Sequence, residues 1–236
     1  MNLSNAAKAL SILVLCFSLL SACSGPGGGN SNSSATGAQT AGEFPFEISE
    51  PPTYQAKIVM TAGETERTSF VARSGELRRT DHRLGTPLQL TLISGERETI
   101  IFPAMSIYAE RESGSPGEHL GMSEIASWLL SQRSFAEFES LGKEGGLDRY
   151  SVRIDRRDGS EAIVFYDPSL KMPVRHEFYA VSGSERTLQM RTELREVKLE
   201  ADASLFALPP DLKKVTEQEL YRQLQMAMAR EANPQQ

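Results

Sequence analysis

Two cysteines, three histidines and a scatter of carboxylates are the groups in this chain that could do chemistry. The histidines, His82, His119 and His176, are scattered, and no pair has metal-ligand spacing. His176 falls in Val174-Arg175-His176-Glu177, a strand-like run in which a histidine satisfied by its neighbours is the plain reading. Ser113-Gly114-Ser115 and Ser182-Gly183-Ser184 read as turns, and neither forms the strand–turn–helix elbow that exposes a serine nucleophile. Glu144-Gly145-Gly146 lacks the further glycines and the following helix of a phosphate cradle. Glu96, Glu98, Glu110 and Glu112 look like solvated edge positions rather than a general acid–base pair. The expectation is a chain with no catalytic residue, no metal site and no cofactor.

The cysteines are more telling. Lys8 precedes an apolar run from Leu10 to Leu20 that contains Cys16. That run has the length of a signal-peptide core and falls short of the roughly 20 apolar residues needed to span a bilayer. Leu20-Ser21-Ala22-Cys23 comes at its end, with small side chains before a scissile bond and a thiol directly after it. The stretch resembles the bacterial lipobox, in which a diacylglyceryl group is joined to the cysteine and cleavage makes that cysteine the N-terminus. Residues 1–22 are therefore expected to be a signal peptide and Cys23 the lipid attachment site, tying the chain to a membrane. Ser24, rather than Asp, comes next; by resemblance to the sorting rule of enteric bacteria, this favours the outer membrane, with the domain facing the periplasm. Once Cys16 is removed and Cys23 acylated, no thiol remains, so disulfides, zinc–thiolate sites and cysteine nucleophiles are excluded.

A net charge of -6 with the charges interspersed argues against nucleic acid, which favours a basic stripe, and against a polybasic membrane patch. From Ser24 to Gly42 the chain is almost wholly small and uncharged. Such a segment cannot bury enough apolar surface to order itself, and about 19 residues of random coil span roughly 25 Å. Residues 23–42 thus read as lipidated cysteine plus flexible tether. The stretch from residue 43 onward is long enough for one domain with a substantial core.

Beyond the tether the apolar pattern has period two. Tyr54, Ala56, Ile58 and Met60 alternate with polar residues, as do Leu88, Leu90 and Leu92, and Tyr150, Val152 and Ile154. Each run reads as a strand with one buried face, and Gly63, Gly75, Gly95 and Asp158-Gly159 read as hairpin turns between antiparallel neighbours. Phe70 and Leu77 are expected as inward anchors of the looser stretch between Glu64 and His82. Ile163-Val164-Phe165 is apolar on both faces and reads as a central, covered strand. Leu188, Met190 and Leu194 share one parity, whereas Val197 and Leu199 have the other, which requires a β-bulge near Arg195-Glu196. Two helices interrupt the strands. Ser123 caps a short one in which Ile125, Trp128 and Leu129 form an apolar face. Thr216-Glu217-Gln218-Glu219 is a capping box opening a C-terminal helix with Leu220, Leu224, Ala227 and Met228 as its stripe.

Four segments carry a family resemblance: Phe165-Tyr166-Asp167-Pro168, Met172-Pro173-Val174-Arg175, Leu194-Arg195-Glu196-Val197, and Asp202-Ala203-Ser204-Leu205-Phe206-Ala207-Leu208-Pro209. Together they resemble the LolA/LolB-like superfamily, and within it the outer-membrane lipoprotein-sorting-like proteins, from about Tyr54 to Val215. The resemblance implies a mainly β, α+β fold: a curved antiparallel half-barrel whose apolar face is covered by short helices and which carries or senses lipids or acylated proteins. Residues 43–215 would form this domain and 216–236 the C-terminal helix and tail. The glycine-rich tether stands where the family has an N-terminal helix, so the lid is reduced unless the C-terminal helix replaces it. Met60, Phe70, Leu90 and Trp128 are the candidate cavity residues; for Trp128, core packing is the alternative to a lid. The function expected is non-catalytic binding of a lipid or acyl chain, and the rival is a protein-interaction module of an envelope complex.

Overall fold

The computed structural model describes residues 44–47, 49–112, 129, 136–153 and 160–233. They form two runs of antiparallel strands. The first comprises β1 (Thr53–Ala62), β2 (Thr65–Ser74), β3 (Leu77–His82), β4 (Leu90–Ser94), β5 (Arg97–Phe102) and β6 (Ile107–Glu112). The second comprises β7 (Glu137–Glu144), β8 (Leu147–Arg153), β9 (Ser160–Asp167), β10 (Met172–Ser182) and β11 (Glu185–Lys198). In each run, neighbours in sequence are neighbours in space. Their hairpins are tight: Ala62 pairs with Thr65, so only Gly63 and Glu64 make the turn, and Gly63 sits at φ 57°, which suits glycine.

β1 pairs with β11, joining the two runs into one sheet. The chain then crosses to the far edge, where the short strand β12 (Lys213–Lys214) lies parallel to β6. The order is β12-β6-β5-β4-β3-β2-β1-β11-β10-β9-β8-β7, a 12-stranded open sheet that is mostly antiparallel. One helix comes after it, α1 (Glu217–Ala232). Thr216 caps it, its hydroxyl accepting from the Glu219 amide at 3.2 Å. Among the described residues no helix is long and apolar enough to cross a membrane.

Cross-strand pairing divides the side chains between two faces. Ala56 stands opposite Val71, Val71 opposite Thr80, Thr80 opposite Leu92, Leu92 opposite Ile100 and Ile100 opposite Ala109. This inner face carries three apolar clusters. Tyr54, Ala56, Ile58 and Val71 pack with Met172, Leu194 and Val197. Ile100, Phe102, Ile107 and Ala109 pack under Leu220, Leu224 and Ala227 of α1. Val152, Ala162 and Val164 pack with Leu129, Phe44, Phe46, Phe138 and Phe178. The C-terminal helix therefore covers the inner face at β5 and β6.

The expected bulge is present. Lys57 pairs with Arg195 but Gln55 pairs with Lys198, so β11 carries one residue more than β1, and Glu196 there sits at φ 54°. The extra residue is what lets Leu194 and Val197 pack on the same cluster. A second irregularity was not expected. Phe178 pairs with Met190 but Tyr179 with Leu188, so Leu188 turns away from Met190 and is 42% exposed.

Other expectations are corrected. Phe70 pairs with Lys57 and Asp81, and Leu77 with Ser74; both have the parity of the outer face, and Leu77 is exposed. Met228 is also exposed, off the stripe that α1 buries. Glu98 is not a solvated edge residue: it is buried, stands opposite Arg111 and accepts from its guanidinium, which also reaches Glu217 of α1 at 3.3 Å. In β9, Ala162 to Tyr166 are all buried, and over Phe165 the outer cover is the Arg175 guanidinium, 3.4 Å from the ring centre. The short helix expected from Ser123, Ile154 and the Asp158-Gly159 turn lie outside the described residues, apart from the helical and fully buried Leu129.

Candidate functional site

Between the part of the inner face covered by α1 and the part packed by Phe44 and Phe46 lies a stretch formed by β1, β2, β3, β10 and β11. Here the even-numbered side chains of β1 and the odd-numbered ones of β2 share a face with the even-numbered ones of β10 and β11. The pairing of Ile58 with Leu194 and Met60 with Thr192 joins them. They line a trough of about 440 Å³, within the range of roughly 300–1,000 Å³ usual for small-molecule sites. Ile58, Met60, Phe178 and Met190 give it apolar walls; Ser69, Thr192, His82, His176, Arg67 and Arg83 add polar groups.

Burial governs the two histidines. His176 is 5% exposed, with its ring 5.0 Å from that of Phe178, and desolvation holds its pKa down at about 4. His82 is lowered as well, by burial working against the nearby Asp81 carboxylate. Both are therefore neutral at pH 7 and leave the trough floor without charge. The arginines stand at its rim. Arg67 is exposed, opposite Met60. Arg83 comes directly after β3 at φ 53°, and its carbonyl accepts from both the Thr86 amide (3.1 Å) and the Thr86 hydroxyl (2.8 Å).

Nothing in this set makes a nucleophile–base pair, and among the described residues no three His, Cys, Asp or Glu side chains are grouped to hold a metal ion. The arrangement is an apolar trough with two neutral histidines and two arginines among its lining residues.

Neither a family model nor a curated protein matches the sequence. Among solved structures the chain is similar to the MucA/MucB complex of Pseudomonas aeruginosa, at 10% identity over 70% of this chain and 58% of that chain, with a TM-score of 0.46. It is similar to MucB in complex with MucA(peri), at 10% identity over 70% and 57%, TM-score 0.43. It is also similar to a LolA superfamily protein from Nitrosomonas europaea, at 15% identity over 68% and 92%, TM-score 0.29. The chain thus spans 58% of the length of the first of these. At these values the likenesses assign it neither a family nor an activity.

Of the residues expected in a cavity, Met60 lines the trough. Leu90 shares the inner face but stands opposite His82, one strand further on, and packs with the cluster beneath α1. Phe70 is on the other side of the sheet. Trp128 and Cys23 lie outside the described residues. Phe178, Met190, His176, Arg67 and Arg83 were not singled out as cavity residues. Parity within each strand marks Ile58 with Met60 and Phe178 with His176, but only the pairing of β1 with β11 brings the two pairs together.

Proposed function

We propose that this chain is a lipid-anchored envelope protein that binds a lipid or acyl chain, without catalysis, in the trough on its inner face. Cys23 would carry the anchor, the segment 23–42 would hold the domain clear of the outer membrane, and the domain would face the periplasm. A fixed anchor suits an acceptor or sensor better than a shuttling carrier. One observation carries the reading: α1 and the aromatic group at Phe44 and Phe46 cover the two ends of the apolar inner face and leave the middle, around Met60 and Phe178, as a trough. Each methylene buried there contributes about 0.8 kcal/mol, so eight would supply about 6 kcal/mol against the cost of association.

Native mass spectrometry of the full chain, released gently from membranes, should show a bound lipid. Met60→Asp, which puts a carboxylate into a half-buried wall of the trough, should abolish the adduct while leaving the melting temperature within a few degrees. A wild type free of lipid, or an adduct that persists in the variant, refutes the reading.

A second reading, a protein-interaction module, is favoured by the outer side of α1. Tyr221 and Met228, seven positions apart and so on one helix face, are 37% and 50% exposed. In that case a protein partner, and no lipid, would accompany the chain.

A further inference from the structure

The cations at the rim give the occupant of the trough a second property. Arg67 and Arg83 line the apolar trough and also line a separate recess of about 350 Å³, whose other walls include Thr65, Thr68, Leu84 and Thr86. The two spaces share this pair of arginines, one walled by Ile58, Met60, Phe178 and Met190 and the other including three threonines.

The charges around the recess favour an anion. Among the described residues no carboxylate pairs with Arg67. Among the described carboxylates Arg83 has only a loose, solvent-exposed contact with Glu231 of α1, at 3.5 Å, the kind of pair that contributes little. Glu66, the one carboxylate lining the recess, lies 3.8 Å from Arg195. Arg83 is held in a left-handed backbone conformation that a non-glycine residue adopts at a cost, fixed by two hydrogen bonds from Thr86. Arg67 stands directly opposite Met60, so its cation borders the apolar wall without an intervening residue.

We infer that the ligand is an anionic amphiphile: one acyl chain along Ile58, Met60, Phe178 and Met190, and a carboxylate or phosphate head on Arg67 and Arg83. This rests on the trough reading above and adds the chemistry of the head. A planar guanidinium pairs with two oxygens of either head, so both belong to one class.

The test is calorimetric titration of the full-length chain carrying Cys23→Ser, with four probes below their micelle concentrations: dodecyl phosphate, dodecanoate, dodecanol and inorganic phosphate. Both charged amphiphiles should bind about tenfold to a hundredfold more tightly than dodecanol, and added salt should narrow the gap. The double variant Arg67→Gln with Arg83→Asn, the latter chosen because asparagine tolerates the left-handed backbone, should bind all three chains alike and at the dodecanol level. Dodecanol binding as tightly as dodecanoate in the unsubstituted protein overturns the head-group inference and leaves the trough reading standing. Inorganic phosphate binding as tightly as dodecyl phosphate also overturns it, since the recess would then be an anion site independent of the chain. If none of the three amphiphiles binds, the trough reading itself fails.

Discussion

At the scale of single residues, the trough is shaped as much by groups kept neutral as by apolar ones. The His176 pKa near 4 makes this measurable. In the unfolded chain the imidazole takes up a proton near its ordinary value of about 6.5; in the folded chain it does so only near 4. The unfolded state thus binds more protons between these values. Stability is full above about 6.5, falls as the pH drops, and has lost roughly 3 kcal/mol from this group by the time the pH is below 4. Between pH 7.5 and 5.5 the loss should be about 1 kcal/mol. Urea melts at those two pH values should show this drop in the unsubstituted protein and a smaller one in His176→Leu. Equal drops in both would mean that the histidine is not buried as described. His82, shifted in the same direction, contributes to whatever remains.

At the scale of elements, the bulge in β11 is the feature that apolar parity alone announces. A change in that parity between Leu194 and Val197 leaves a strand no choice but to insert a residue, and Glu196 is where the insertion falls. Deleting Glu196 should turn Val197 and Leu199 over and cost several kcal/mol, close to a domain's whole margin. Glu196→Gly should instead keep or raise stability: the left-handed backbone suits glycine, and the lost ion pair with Lys57 is exposed. Thermal melts of the two variants decide the matter, and a deletion that melts like the parent removes the bulge. The elements that departed from expectation share one cause. Phe70 and Leu77 are apolar residues at outward positions, and a run in which Arg67, Arg73 and Arg78 occupy inward positions gives parity little to work with. Arg73 and Arg78 point inward because Glu50 receives both, at 2.9 Å each, a partnership across 23 and 28 residues that no local pattern reveals. Leu188 likewise left the inner face through an irregularity beside Gln189 that no change of apolar parity announces. β5, β6 and β7 give no clear alternation, whereas β1, the apolar centre of β9, the turns at Gly63 and Gly75 and the capping of α1 were local and therefore legible. Which strands meet at the trough was not.

At the scale of the whole molecule, the anchor and the domain make separable predictions. If Cys23 carries the two or three acyl chains of the proposed anchor, more than the single chain that binds only reversibly, the parent protein should stay with membranes through a high-salt wash, whereas Cys23→Ser should not partition with them. Fractionation checks both. Parent protein released by salt ends the anchor reading; recovery with inner rather than outer membranes ends only its outer-membrane part.

The pairing of β1 with β11 has a consequence for how the site comes into being. Every other antiparallel pair joins strands consecutive in the chain, but Gln55 meets Lys198 only after almost the whole domain has been threaded. Local hairpins close quickly and distant pairings slowly, so the two meanders can fold early while the seam between them zips late. The trough straddles that seam, with Ile58 and Met60 on one bank and Phe178 and Met190 on the other. It does not exist in a half-folded chain, and whatever occupies it touches both halves at once. Occupancy then acts as a clasp: by mass action, a ligand that binds only the zipped state lowers the free energy of that state by an amount that grows with its concentration.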